Sequence, residues 1–137
     1  MNRVIHFEIH AENPERVAEF YRQVFAWDVS KWDNPAGEYW LIVSGPVIEE
    51  GKVAGPPGIN GGILRRRGAA PKGGEPVNAF VCTIKVPSVD EYLKRIPDAG
   101  GTLAAPKQAM PGLAWLAYCK DPDGNIFGIY EDDPSAK

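Results

Sequence analysis

Residues 121–131 have the sequence DPDGNIFGIYE and join a tight turn to a half-buried strand. In the first five residues, proline presets φ, the Asp and Asn side chains bond nearby backbone groups, and glycine tolerates a positive φ, so a chain reversal is favoured. The next five residues are β-branched or aromatic around Gly128, which predicts a strand. A glycine inside a strand also indicates that another group approaches the backbone closely at that point.

Residues 6–27, HFEIHAENPERVAEFYRQVFAW, predict a strand followed by a helix. Residues 4–10 alternate, with the apolar side chains on one face of the strand and His6 and Glu8 on the other. The Asn-Pro pair at 13–14 supplies an N-cap and a first helical residue, and an apolar stripe follows at helical spacing. If the apolar face packs on the helix, His6 and Glu8 point away from it.

These two stretches resemble the end and the beginning of a vicinal oxygen chelate domain, the superfamily of glyoxalase I, bleomycin resistance proteins and extradiol dioxygenases. Phe20-Tyr21 and Phe25-Ala26-Trp27 stand where that family has its FY and FGW signals. The resemblance extends over nearly the whole chain. It implies an α+β fold in which two βαβββ modules form paired mixed sheets around a cleft, with the helices on the outer faces.

An internal repeat supports the same architecture, because each half of the chain predicts one strand, one helix and three further strands. The predicted strands are residues 4–10, 27–32, 38–44 and 61–66 in the first half, and 77–86, 102–107, 113–120 and 125–130 in the second. Residues 45–58 are predicted to form a loop. We expect a single domain over residues 1–137, with module 1 at 1–67, a Gly/Pro-rich linker at 68–76 and module 2 at 77–133.

Composition narrows the class of protein. The chain has 137 residues, is 44% hydrophobic and 24% charged, and carries a net charge of −3, which is typical of a globular domain and disfavours nucleic-acid binding. The run Arg65-Arg66-Arg67 is interpreted as a solvated strand end rather than a phosphate clamp. No apolar segment has the length of a membrane span, and the N-terminus leads directly into a strand pattern, so we expect a cytoplasmic protein without a membrane partner.

The two cysteines, Cys82 and Cys119, lie in apolar strand-like runs without CxxC spacing. This arrangement does not indicate a zinc knuckle or a redox motif, and both are predicted to be small buried residues. In the predicted strand 77–86, alternation buries Phe80 together with Cys82 and leaves Val81 and Thr83 facing the cleft.

Aromatic residues on the strands complete the expected cleft. Aromatic walls with one or two acids suit a flat or cationic organic ligand, although core packing is the alternative role for such rings. The predicted ligand-binding residues are His6, Glu8, Trp40, Val81, Thr83, Trp115 and Tyr130. No motif for a catalytic nucleophile is present, so the catalytic residues stay unknown.

The resemblance also implies four metal ligands on the first and last strands of the two modules. His6 stands at the first ligand position, whereas Gly62 (or Asn60), Val81 (or Thr83) and Gly128 occupy the other three. Glu8 is a second candidate ligand, but two neighbours on one strand do not by themselves form a metal cage. We therefore expect no resident cofactor, with Fe, Ni, Zn or Mn as the candidates if a divalent metal binds at His6 and Glu8.

Three functions remain open from the sequence. The leading hypothesis is a metal-free, glyoxalase-like protein that binds a small organic molecule. The alternatives are a metal-dependent lyase, isomerase or dioxygenase, and an interaction domain without a ligand. A homodimer is expected, because two open sheets leave edge strands and the linker permits exchange of modules, with a monomer as the competing prediction.

Overall fold

The computed structural model describes Val4 and residues 6–35, 37–45, 48–49, 52–53, 58–76 and 80–137. The chain divides into two compact units between Ala69 and Ala70, within the predicted linker. Residues 68–76 contain no helix or strand. No helix in the described part of the chain is long and apolar enough to cross a membrane.

The first unit is a four-stranded mixed sheet with one helix. Its elements are β1 (His6–Ala11), α1 (Pro14–Phe25), β2 (Asp28–Asn34), β3 (Gly37–Val43), β4 (Ile48–Glu49), β5 (Lys52–Val53) and β6 (Asn60–Arg65). The strand order is β1-β6-β3-β2, with β1 parallel to β6 and the other pairs antiparallel. Strands β4 and β5 pair with each other inside the segment predicted as a loop, of which residues 46–47, 50–51 and 54–57 lie outside the described residues.

Helix α1 begins as the sequence predicts. The Asn13 side chain accepts a hydrogen bond from the Arg16 amide, and Pro14 occupies the first helical position. One face of the helix is buried, and its residues there are Pro14, Val17, Ala18, Phe20, Tyr21 and Val24. After the helix, the Trp27 ring stacks on Tyr21 with centroids 4.8 Å apart, which joins the end of α1 to the start of β2.

The second unit has the same order of elements. It contains β7 (Thr83–Lys85), α2 (Val89–Asp98), β8 (Thr102–Met110), β9 (Ala114–Lys120) and β10 (Ile126–Asp132). Its sheet order, β7-β10-β9-β8, again places the first strand beside the last, then the third and the second. The predicted α+β class with two βαβββ modules is therefore confirmed in each unit.

The turn at residues 121–125 is also confirmed. Asp121 is 3% exposed, and its carboxylate accepts hydrogen bonds from the amides of Asp123 and Asn125 and from the Asn125 side chain. Gly124 has φ +84°, a conformation that glycine adopts without steric cost. The turn thus directs the chain into β10, the second strand of its sheet.

The first strand of the second unit differs from the prediction. Residues 77–79 lie outside the described residues, and β7 covers only Thr83–Lys85. Phe80 and Cys82, predicted to be buried, are exposed, whereas Cys119 is buried as expected. Alternation decides which side chains are buried only where a strand is paired, and β7 pairs with β10 over three residues.

Candidate functional site

The sheet of the first unit has one face toward α1 and one face away from it. On the helix side, Ile42 and Ile63 are buried. The register aligns Glu8 with Gly62 across β1 and β6, and Leu41 with Gly62 across β3 and β6, so these residues share the opposite face. We call this side the open face, and define it by His6, Glu8, Trp32, Tyr39, Leu41 and Gly62.

A chain of hydrogen bonds links three residues of the open face. The Tyr39 hydroxyl donates to Glu8 Oε2 over 3.1 Å, and His6 Nε2 lies 2.9 Å from the same hydroxyl oxygen. A phenol has one hydrogen, and an ionised carboxylate only accepts. Because that hydrogen is directed to Glu8, we assign the hydrogen of His6 to Nε2, from which it is donated to Tyr39.

Tyr39 keeps its hydroxyl hydrogen at neutral pH. Partial burial, and then the hydrogen bond to Glu8, raise the pKa of Tyr39 to about 12. The phenol is therefore a hydrogen-bonding group rather than a phenolate nucleophile. It connects His6 and Glu8, which the sequence placed on one face without a link between them.

Gly62 makes room for Tyr39. A Cβ atom on Gly62 would overlap the Cε1, Cζ and hydroxyl atoms of the Tyr39 ring. Gly128 has a similar place in the second unit, where a Cβ would lie 2.7 Å from Thr83 Oγ1 and 3.3 Å from Tyr118 Cε1. A strand glycine is the sequence signal for such a close approach at position 62, and the structure identifies Tyr39 as the group that approaches.

An exposed aromatic ring lies beside the hydrogen-bond chain. Trp32 is 51% exposed and pairs with Tyr39 across β2 and β3. The two rings meet edge to face with centroids 6.5 Å apart. Leu41 is exposed on the same face. The sequence prediction of ligand-binding residues included neither Trp32 nor Tyr39.

The structure places Trp40, one of the predicted ligand-binding residues, on the helix side of its sheet and not on the face of His6 and Glu8, so its predicted place in the cleft is wrong. Trp40 is 3% exposed, and its Nε1 donates to Glu15 Oε2 of α1 over 2.7 Å. A tryptophan buries a large apolar area while its single donor needs a partner. Contact with the helix meets both requirements, so Trp40 is a core residue.

Trp115 is likewise on the helix side, and its predicted cleft position is also wrong. It pairs across strands with Glu131, whose carboxylate accepts from the Val89 amide at the start of α2. The Trp115 Nε1 donates to Asp133 over 2.9 Å, and Lys107 Nζ lies 4.3 Å from the ring centroid. These contacts make Trp115 a structural residue of the second unit.

The remaining predicted residues belong to the second unit. Val81 precedes β7 and is half-buried, whereas Thr83 is exposed and pairs with Gly128. Tyr130 lies two residues further along β10 on the same face, and its pKa is raised by burial and then by its hydrogen bond to Asp132. Apart from Trp40 and Trp115, the predicted set therefore divides into His6 and Glu8 in the first unit and these three residues in the second.

The residues at the expected metal positions do not fit a four-ligand site. No group of three or more His, Cys, Asp or Glu side chains in the described part of the chain is arranged to hold a metal ion. His6 and Glu8 are bridged by a phenol, and Gly62 and Gly128 have no side-chain donor. The hydroxyl of Tyr39 fills the space in which a ligand side chain at position 62 would begin.

Comparisons with known proteins agree with this architecture. The sequence model of the family described as "Glyoxalase-like domain" matches residues 6–130. No curated protein matches the chain. The fold is similar to that of a glyoxalase family protein from Bacillus cereus, at 16% identity and a TM-score of 0.69, with 96% of this chain and 95% of that chain covered.

Two further solved structures share the fold. A glyoxalase-related enzyme from Fulvimarina pelagi has 20% identity and a TM-score of 0.64, with 100% of this chain and 98% of that chain covered. The fosfomycin resistance protein FosX from Listeria monocytogenes, solved with Mn(II) and sulfate, has 14% identity and a TM-score of 0.64, with 97% and 94% covered. At these identities the similarity shows the fold alone.

Proposed function

The chain belongs to the glyoxalase-like domain family, and from this premise we propose that it binds a small organic molecule on the open face of its first unit, without the metal site of the family's enzymes. The observation that carries the proposal is the His6–Tyr39–Glu8 hydrogen-bond chain beside the exposed ring of Trp32. Small-molecule sites combine an apolar or aromatic wall with a few well-placed polar groups. The open face supplies both within one sheet.

The polar groups are held in position before a ligand arrives. Gly62 leaves the space that the Tyr39 ring occupies, and His6 and Glu8 form hydrogen bonds with the Tyr39 hydroxyl. A pre-organised site loses less conformational entropy on binding than one whose side chains must be ordered. This pre-organisation favours a binding role for Tyr39 over a purely structural one, because most of the side chains around its ring are exposed.

Nuclear magnetic resonance tests the proposal directly. The chain has four tryptophans, so a ¹⁵N-labelled sample gives four indole N–H signals, of which Trp32 reports on the open face and Trp40 and Trp115 report on the helix sides. A panel of small aromatic and heteroaromatic compounds is screened. We expect binders to shift the Trp32 indole signal and the amides of β1 and β3, and to leave the Trp115 signal in place.

A Trp32→Ala variant serves as the control, since it removes the exposed ring without touching the core. Its binding should be weaker for every compound that shifts the wild-type signal. The proposal fails if no compound moves the Trp32 signal, or if the shifts map to the helix sides of the sheets.

A second candidate is a metal-dependent lyase, isomerase or dioxygenase. It is favoured by the position of His6 and Glu8 on one face and by the fold shared with FosX, whose structure was solved with Mn(II). His10 is the only other histidine of the chain and provides a matched control. Metal analysis of tag-free protein after incubation with Mn²⁺, Fe²⁺, Ni²⁺ or Zn²⁺ decides: stoichiometric metal that is lost in His6→Ala but kept in His10→Ala favours the enzyme.

We also propose that the chain forms a homodimer. Strands β1 and β2 are at the edges of the first sheet, and β7 and β8 are at the edges of the second, which leaves backbone groups available for association. Light scattering at micromolar concentration gives a mass near twice 15.0 kDa for the dimer, whereas a mass near 15.0 kDa contradicts it.

A further inference from the structure

The direction of the hydrogen-bond chain on the open face determines what its free ends offer. His6 donates from Nε2 to Tyr39, and Tyr39 donates to Glu8 Oε2. With its hydrogen on Nε2, a neutral imidazole presents a lone pair at Nδ1, and the second carboxylate oxygen of Glu8 also only accepts. No further hydrogen-bond partner of either residue lies among the described residues. The two free atoms at the ends of this hydrogen-bond chain, His6 Nδ1 and the second carboxylate oxygen of Glu8, are therefore both acceptors.

The charged side chains of the open face also favour a hydrogen-bond donor that carries positive charge. The four strands of the first sheet contain one lysine and one arginine, Lys31 and Arg65, and both pair with Glu38 on the helix side. The strand residues on the open face include the acids Glu8 and Asp28. Arg66, which follows β6, donates to the His10 carbonyl at the end of the sheet. The region around Tyr39 thus combines acceptors with negative charge.

The exposed aromatic ring suits the same class of ligand. The faces of aromatic rings carry negative electrostatic potential and attract cations, with tryptophan the strongest of them. Trp32 is exposed beside Tyr39 on the open face, so a ligand that reaches Glu8 also reaches an aromatic surface. An anion at this place would face the Glu8 carboxylate and the His6 lone pair, and no basic side chain of the described strands of this sheet points to the open face to offset them.

We infer that the ligand of the open face is an organic cation with N–H donors next to an aromatic or apolar body, such as an amidinium or a protonated aromatic amine. This inference rests on the proposed binding function and adds the chemical class. Glu8 is its specificity-determining residue, because it provides the negative charge and the free acceptor. Trp32 contributes to binding of the aromatic or apolar part of the ligand and contributes less to the preference for a cation over a neutral ligand.

Three probes of nearly equal shape test the inference: benzamidine, which is a cation with N–H donors, benzamide, which is neutral, and benzoate, which is an anion. Affinities for the three probes are measured at the same pH, with the Trp32 indole signal as the site reporter. A charge-assisted hydrogen bond favours benzamidine over benzamide by about tenfold or more. Benzoate is expected to bind most weakly.

Two variants assign this preference to its source. In Glu8→Gln, the affinity for benzamidine should fall to about that for benzamide, whereas Glu19→Gln, which removes the same charge from an exposed position of α1, should leave the preference unchanged. In Trp32→Ala, where the amide signals of β1 and β3 replace the indole signal as the reporter, the affinities for benzamidine and benzamide should weaken together. Well-dispersed amide spectra of the variants verify that each is folded.

The outcomes separate this inference from the proposed function. If benzoate binds as tightly as benzamidine while the Trp32 signal shifts, or if Glu8→Gln keeps the preference for benzamidine, the cation inference is wrong and the binding function stands. If none of the three probes shifts the Trp32 signal while other compounds of the panel do, the cation inference is wrong and the binding function stands. If no compound shifts the Trp32 signal, both are contradicted.

Discussion

The hydroxyl end of the Tyr39 ring fills the space in which a side chain on Gly62 would begin. Gly62 is on β6 and Tyr39 is on the neighbouring strand β3, so the contact depends on their register. The resemblance to the vicinal oxygen chelate superfamily implies a metal ligand at position 62 or position 60. In this chain the phenol takes that space and joins His6 to Glu8 instead. The glycine and the tyrosine are therefore one feature of the open face.

Substitution of Gly62 by alanine should release Tyr39 while the domain stays folded. The three atoms nearest to the added methyl group all belong to the far end of the tyrosine side chain, which we expect to rotate away. We expect a loss of the hydrogen bonds to His6 and Glu8 and weaker ligand binding, with a change of less than about 1 kcal/mol in the free energy of unfolding. Amide shifts at His6 and Glu8, together with urea denaturation, measure the two effects.

Gly61 provides the matched comparison, because alanine there should destabilise the fold. A Cβ on Gly61 would overlap the Phe7 carbonyl oxygen and its ring, and a backbone atom within a paired strand has little freedom to move. Overpacking of this kind costs about 1–3 kcal/mol. If the two alanine variants lose stability equally, Tyr39 is not the group that Gly62 accommodates.

Tyr39→Phe should change how stability depends on pH in the alkaline range. The pKa of Tyr39 is raised from 10.0 to about 12 in the folded protein, so the folded state holds the hydroxyl proton more tightly than the unfolded state. This contribution is fully present below about pH 10 and is lost as the pH rises toward 12. Denaturation of both proteins between about pH 9 and 11 should show a steeper loss for wild type. Parallel curves would mean that the environment of Tyr39 does not favour its protonated form.

The two faces of the first sheet are distinguished by a pair of tryptophan substitutions. Trp40→Phe removes the donor to Glu15 and leaves a gap beneath α1, which should lower the free energy of unfolding by about 1–3 kcal/mol. Trp32→Phe changes an exposed ring and should alter stability by less than about 0.5 kcal/mol. Chemical denaturation measures both values, and the opposite order of effects would reverse the assignment of the faces.

Among the residues of the turn 121–125, Asp121 should be the one whose side chain matters most for stability. Asp121→Ala leaves the amides of Asp123 and Asn125 without their acceptor in a buried turn, at a cost of about 2–4 kcal/mol. Asp121→Asn retains one acceptor oxygen and should lose less. A thermal melt of both variants tests this order, and equal losses would show that the charge of the carboxylate, rather than its acceptor geometry, stabilises the turn.

Local patterns predicted the features that depend on neighbours in sequence. The N-cap at Asn13, the turn after Asp121 and the opposite faces of Phe7 and His6 follow from backbone preferences and from the two-residue period of a strand. The same two-residue period gave a wrong prediction of burial for Phe80. This residue lies outside β7, and no strand in the described part of the chain pairs with it.

The sequence by itself determined the two βαβββ modules and the face on which His6 and Glu8 lie, because both follow from short-range periodicity. Only the tertiary structure decided which aromatic residues belong to the candidate site. Trp40 and Tyr39 are adjacent on β3, yet one is buried against α1 and the other bridges His6 and Glu8. Which residues of β3 share a face with His6 depends on how β1 and β3 each pair with β6. That pairing joins residues far apart in sequence.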